Sequence, residues 1–217
     1  MNIWFASGNA HKKTELAAVL GVALKIPADV GLDFDPEETG KSFCENALLK
    51  ARELFRLLNA RCALYNAGDM VIADDSGLCV DALDGRPGIY SARYSGPTAR
   101  ADGKKLTSSQ KNAMLLEEMG LISNRSAHFV CAMALLLSED RFYLVQETLE
   151  GEIVNGPENI RGNGGFGYDP ILFIPCLGRT VAELSEDEKN RVSHRGKAGK
   201  AIADILRGLK PIGLVSG

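Results

Sequence analysis

Tryptophan occurs once in 217 residues, histidine three times, and no Cys-x-x-Cys pair is found among the five cysteines. Those cysteines (Cys44, Cys62, Cys79, Cys131 and Cys176) are odd in number and scattered. That pattern excludes a disulfide framework and a structural zinc site, and reduced, mostly buried thiols are expected. A membrane-length run is also missing, since the apolar stretch from Ala132 to Leu137, with Val130 just ahead of it, is far too short to span a bilayer. The chain opens on Asn2 instead of a basic region leading into an apolar one. No membrane partner is expected, and the expected location is the cytoplasm. A net charge of -3 excludes a globally basic nucleic-acid binder. Positive charge for a polyanionic ligand therefore has to be gathered locally. What is present, 45% hydrophobic and 24% charged residues without repeats or linkers, is the composition of a globular domain over 1–217.

Strand and helix signals alternate along the chain, which points to the α/β class. Ile3 to Ala6 reads as a first strand, Ser7-Gly8-Asn9 as a turn, and Leu16, Val19 and Leu20 as the apolar side of a helix. Ser42 with Glu45 forms a capping box ahead of a helix carrying Phe43, Ala47, Ala51, Leu54, Phe55 and Leu58 on one face. Val71-Ile72-Ala73 reads as a short strand ending at Asp74-Asp75, with Gly77 marking a loop, and a helix is expected from Lys104 to Met119. Phe129–Leu137 and Phe142–Leu149 suggest an antiparallel pair joined through Ser138-Glu139-Asp140, so the sheet should be mixed. Residues 155–170, rich in glycine, form a loop too long for a plain connection. Ser185 with Glu188 caps a short helix, and Ser193 precedes a last one bearing Ala198, Ala201, Ile202, Ile205 and Leu206.

Several positions carry chemistry. The turn Ser7-Gly8-Asn9 runs into a helix start that includes Lys12, where free N–H groups and the dipole favour an anion, although no Walker loop is present. Lys50 falls on the apolar face of its helix, so it needs either an anionic partner or a route for its ammonium to water. The adjacent carboxylates Asp74 and Asp75 suit a hard divalent cation or proton transfer from water. As neighbours in an extended segment they should point opposite ways and play different parts. Gly162 to Gly167 satisfies Gly-x-Gly-x-x-Gly but neither closes a strand nor opens a helix. It reads instead as a flexible or closely approached loop in which Phe166 or Tyr168 can stack on a base and Asp169 can accept from its edge. Lys189, His194 and Arg195 gather positive charge around the last helix start.

Together, SGNAHKKTEL from Ser7, ETGKSFCENALLKA from Glu38, the segment ADDSGLCVDALDGRPGIYSARYSG from Ala73, GGFGYDP from Gly164 and AELSEDEKNRVSHR from Ala182 resemble the inosine triphosphate pyrophosphatase family, the non-canonical purine NTP pyrophosphatases. The resemblance implies an elongated mixed β-sheet flanked by helices, with two lobes and the active site in the cleft between them. It implies a homodimer that uses Mg2+ to cut ITP, dITP or XTP to a monophosphate and pyrophosphate. It assigns phosphate contacts to Ser7, Gly8, Asn9, Ala10, His11, Lys12 and Lys50, metal binding to Glu37 and Asp75, and the essential acid to Asp75 with Ser76 beside the substrate. Base recognition falls to Phe166, Gly167, Tyr168, Asp169, Lys189, His194 and Arg195. His11 stands where many relatives have glycine, and Glu38 adjoins Glu37, so the sequence leaves open which glutamate meets the metal. The alternatives are a Maf-type pyrophosphatase for other nucleotides and a nucleotide-binding sensor without catalysis.

Overall fold

In the computed structural model, residues 2–60, 66, 68–96 and 106–209 are described, Ala10 and His11 by their backbone alone. Cys62 lies outside them, as do Lys104 and Lys105, where the sequence starts a helix. Among the described residues six strands form one sheet in the order β1-β2-β3-β4-β5-β6. β1 (Ile3–Phe5) runs parallel to β2 (Met70–Val80), with Ile3 opposite Met70. β3 (Ser126–Ser138) and β4 (Arg141–Ile153) are neighbours joined by the two-residue turn Glu139-Asp140, which only an antiparallel pair allows. β5 (Leu172–Ile174) and β6 (Arg179–Thr180) continue antiparallel. The mixed α/β sheet expected from the sequence is therefore present. The helices are α1 (Ala10–Leu20), α2 (Phe43–Ala60), α3 (Ser108–Met119), α4 (Glu186–Val192) and α5 (His194–Gly208). None of the described helices is long and apolar enough to cross a membrane.

The chain folds as two compact units, the first holding Met1–Asp74, Ala132–Gln146 and Arg195–Gly217, the second Asp75–Cys131 and Glu147–His194. In the first unit Trp4, Phe5, Leu16, Leu54, Leu58, Ile72, Met133 and Ile202 are buried. The helices α1 and α5 approach closely there, for a Cβ at Gly199 would come within 2.9 Å of Val19. The second unit has its own core, in which Leu78, Val80, Leu115, Met119, Phe129, Ile153, Tyr168 and Leu172 cluster.

The structure departs from the sequence reading at four points. β2 does not stop at Ala73: it runs to Val80 through Asp74, Asp75, Ser76 and Gly77. These residue types are depleted in strands, and β1 reaches only Met70 to Ile72, so of the two strands beside β2 it is β3 that is left to support this stretch. The acidic pair accordingly sits in mid-strand. The helix anticipated from Lys104 is seen from Ser108, because Thr107 and Gln110 form a capping box that fixes the start there. Finally, β5 and β6 were not anticipated, since runs of three and two residues carry no readable period. The box at α2 is also only partly the expected one: Ser42 Oγ accepts from Glu45 N at 3.2 Å, while the Glu45 carboxylate turns to Lys41 N.

One buried acid of the first unit predicts a pH response. Asp69 is fully buried and accepts from Asn2 N at 2.6 Å, Asn2 Nδ2 at 2.9 Å and Trp4 Nε1 at 3.3 Å. Burial pushes its carboxyl up, but the hydrogen bonds from Asn2, Trp4 and Asn66 outweigh that and hold it below the usual carboxylate range. A pKa depressed by folding contributes stability that is complete above the unfolded value of about 4 and is lost as pH falls below it. Denaturant unfolding between pH 7 and 3 should show that loss, with a shallower slope in Asp69→Asn. Equal slopes in the two proteins would remove Asp69 as the cause.

Candidate functional site

The phosphate-loop candidates lie at the start of α1. Ser7 Oγ accepts from Asn9 N at 3.1 Å, and Asn9 Oδ1 accepts from Lys12 N at 3.3 Å, so Asn9 caps the helix through its side chain. Gly8 and Asn9 are exposed, and a Cβ at Gly8 would meet nothing within 4 Å. The backbone of Ala10, His11 and Lys12 forms the first turn behind them, the position from which a helix presents N–H groups to an anion.

Also in the first unit, Asp74 is the centre of a charge cluster. Its Oδ2 accepts from Lys12 Nζ at 2.8 Å and lies 3.4 Å from Arg195 Nε. Arg195 Nη1 donates in turn to Glu15 Oε2 at 2.8 Å. Burial alone pushes the Asp74 carboxyl up, yet the charges of Lys12, Arg195 and Lys50 overcome it and hold the group well below the usual carboxylate range. Its Oδ1 is buried and accepts no hydrogen bond from the described residues. Lys50, 9% exposed on the buried side of α2, finds the anionic partner its position called for: Nζ donates to Glu38 Oε1 at 2.8 Å. Glu37 is exposed and lines a groove along α2 with Arg52, Glu53 and Arg56.

The second unit holds the remaining candidates. Asp75 is 6% exposed, and its Oδ1 lies 3.1 Å from Ser76 N. The boundary between the two units falls between Asp74 and Asp75. Asp169 is buried, with Oδ2 accepting from Phe166 N and Lys189 Nζ, each at 2.8 Å. Gly165 is required by this arrangement, since its φ is 72° and a Cβ there would lie 2.1 Å from that carboxylate oxygen. Of the two aromatics proposed for stacking, Tyr168 belongs to the core and donates its hydroxyl to Ser91 O at 3.0 Å. Phe166 is 41% exposed, with the Lys189 ammonium 5.1 Å from its ring centre. The Asn112 amide donates to Gly167 O at 3.1 Å, tying the loop to α3. His194, 6% exposed, stacks on Phe129 with ring centres 4.8 Å apart.

Among the described residues no three His, Cys, Asp or Glu side chains group closely enough to hold a metal by themselves. The donor set still fits magnesium, which takes one or two carboxylates and completes its shell with water and phosphate oxygens.

With this geometry in place, residues 3–205 match the Ham1 family. The chain belongs to that family. Among its relatives, a dITP/XTP pyrophosphatase of Treponema denticola is 45% identical over 209 residues, spanning 96% of this chain and 100% of the relative. The dITP/XTP pyrophosphatase of Escherichia coli K12 is 46% identical, spanning 93% and 96%. The solved Ham1 protein of Staphylococcus aureus superposes with a TM-score of 0.80 at 35% identity, covering 97% of this chain and 100% of that one. A structure from Mycobacterium abscessus described as a nucleoside-triphosphatase / dITP/XTP pyrophosphatase has a TM-score of 0.69 at 40% identity, covering 95% and 99%. Sequence reasoning on this Ham1 chain missed Glu15 and Asn112. Neither breaks a pattern, because a glutamate beside an apolar stripe and an asparagine in a helix are ordinary residues until their partners are known.

Proposed function

We propose that the chain acts as a single pyrophosphatase domain over 1–217, hydrolysing ITP, dITP or XTP to the nucleoside monophosphate and pyrophosphate. One observation carries the reading: Lys12, Lys50 and Arg195 concentrate positive charge on Asp74, one residue before Asp75, in a protein whose net charge is negative. A triphosphate needs that local concentration of cations. Ser7 to Lys12 and Lys50 are assigned to the phosphates, and Phe166, Gly167, Tyr168, Asp169, Lys189, His194 and Arg195 to the base. Ser76 lies beside the substrate.

Water attacks the α-phosphorus, Asp75 orients it and takes its proton, and the bond from the α-phosphorus to the bridging oxygen breaks, releasing pyrophosphate. When bound by Asp75 and by Glu37 or its neighbour Glu38, Mg2+ supplies charge neutralisation and polarisation of the phosphate oxygens. Lys12 and Lys50 hold the phosphates in line. Donors aimed at the 6-keto oxygen meet another donor when an amino group replaces it, which is how a 6-keto purine is told from adenine. A cytoplasmic homodimer that binds no nucleic acid completes the proposal, and sedimentation showing only monomer would remove the dimer.

Turnover rates with Mg2+ on ITP, XTP, ATP, GTP, CTP and UTP test the selectivity. Fast ITP and XTP with the four standard nucleotides nearly untouched is the expected result. Preference for pyrimidine nucleotides would favour the Maf-type reading, and binding without turnover the sensor. Lys50→Ala should raise KM for ITP about tenfold or more, the effect of losing a charge-assisted contact to phosphate. Its cost in stability should be near 1 kcal/mol, because Glu38 is partly exposed and can be solvated once unpaired. A large fall in Tm with unchanged KM would make Lys50 a structural residue.

A further inference from the structure

Asn112 has no part in these assignments. It lies on α3, is 4% exposed, and its amide donates to Gly167 O at 3.1 Å. Its Oδ1 is buried and accepts no hydrogen bond from the described residues. An unsatisfied buried oxygen is a cost that an apolar side chain of the same size avoids, so this amide is a poor packing residue. Its value lies in the one carbonyl that it holds. Asn112 and the loop around Gly167 both belong to the second unit.

That carbonyl lies in the middle of a turn. Phe166 O accepts from Asp169 N at 3.4 Å, which makes Gly167 and Tyr168 the two central residues. Phe166 N is tied to the Asp169 carboxylate, and the Tyr168 side chain is set in the core with its hydroxyl on Ser91 O. The Gly167–Tyr168 peptide is the part that these contacts leave to be fixed. Gly167 sits at a φ of 67°, but a glycine crosses to negative φ at no steric cost, so the turn by itself does not keep the direction of this peptide. A Cβ at Gly167 would meet nothing within 4 Å, so no neighbour braces it there either. The hydrogen bond from Asn112 supplies the missing constraint.

We propose that Asn112 is a positioning residue for the base end of the site, holding the Gly167–Tyr168 peptide so that Phe166 stacks on the purine with Lys189 beside it. Phe166 is the exposed end of this turn, and Asp169, its other end, accepts from Lys189 Nζ at 2.8 Å. The same ammonium lies 5.1 Å from the centre of the Phe166 ring. One amide on α3 thus acts on two groups assigned to the base. This rests on the pyrophosphatase reading and deepens its account of how the purine is held.

The test is kcat and KM for ITP with Mg2+, together with inhibition by the two products, in Asn112→Leu, Gly167→Ala and the double variant. Leucine keeps the size of the side chain and removes the donor, while alanine disfavours the positive φ without meeting a neighbour. In each single variant KM should rise about three- to tenfold, the worth of one hydrogen bond, with kcat within about twofold of normal. The inhibition constant of inosine monophosphate, which carries the base, should rise with KM, and that of pyrophosphate should stay within about twofold. The double variant should bind ITP no worse than the weaker-binding single variant, as expected of changes that act through one peptide. Equal weakening of both products would make Asn112 a support of the fold as a whole and would overturn the proposal, as would an unchanged KM. If Asn112→Leu does not fold, Asn112→Ser, which shortens the side chain and withdraws the donor, should give the same split between the products, and no split there would also overturn it. Failure of the unaltered protein to hydrolyse ITP would instead remove the pyrophosphatase reading, and this inference with it.

Discussion

Asp75→Asn yields a folded protein that no longer hydrolyses ITP. The substitution keeps the size and shape of the side chain in mid-strand, and an amide oxygen can still accept from Ser76 N, the contact the carboxylate makes at 3.1 Å. What disappears is the negative charge, and with it the capacity to take a proton from water. General-base catalysis contributes typically 10²–10⁴-fold, and loss of a proposed metal ligand adds to that, so kcat should fall by about three orders of magnitude or more. Because the interaction is one made chiefly in the transition state, KM should move little by comparison. Circular dichroism and Tm near those of the unaltered protein would place the defect in chemistry. Activity within about tenfold of normal would exclude Asp75 from the role of essential acid.

Asp74→Ala has the opposite character, with its main effect on folding. Asp74 is 1% exposed and is the shared partner of Lys12 Nζ and Arg195 Nε, and Arg195 is itself 2% exposed. Removing the carboxylate strands a buried guanidinium that retains only part of its compensation, through Glu15. Breaking a buried ion pair by deleting one member costs about 3–5 kcal/mol, which in a protein of this length lowers Tm by about 6–20 °C. Asp74→Asn should cost less, since its amide oxygen still accepts a hydrogen bond. A stability for Asp74→Ala equal to that of the unaltered protein would mean that the cluster is fully solvated in solution. The two neighbouring aspartates thus fail differently when altered: one loses turnover, the other loses the fold.

That division was partly legible. Alternation along a strand requires adjacent carboxylates to face opposite ways, which is why different parts are expected of Asp74 and Asp75. Their place in mid-strand was not legible, because Asp-Asp-Ser-Gly reads locally as a strand end, and its extension to Val80, beyond the last partner in β1, is a matter of tertiary context. The helix α2 was readable from both signals a sequence offers, a cap at Ser42 and a sustained apolar face, and Lys50 stood out because it interrupted that face. The need for an anion followed from burial. The identity of the anion did not, as Glu38 reaches it from an irregular segment whose path no periodicity describes. Glu15 marks the limit most clearly. Its partner Arg195 is 180 positions away, and nothing in SGNAHKKTEL distinguishes a glutamate that meets a buried arginine from one that faces solvent. The glycine loop lies in between: its composition allowed either flexibility or close approach, and that Gly165 must leave room for the Asp169 carboxylate is a fact of three dimensions.

The central claim is that the bond cut lies between the α and β phosphates of a 6-keto purine nucleotide. Phosphorus-31 NMR of ITP incubated with the protein and Mg2+ reads this directly. The predicted result is inosine monophosphate and pyrophosphate in equal amounts, growing together from the first time point. Inosine diphosphate with inorganic phosphate would contradict it, because the attack would then be on the γ-phosphorus and the protein would be a different kind of triphosphatase.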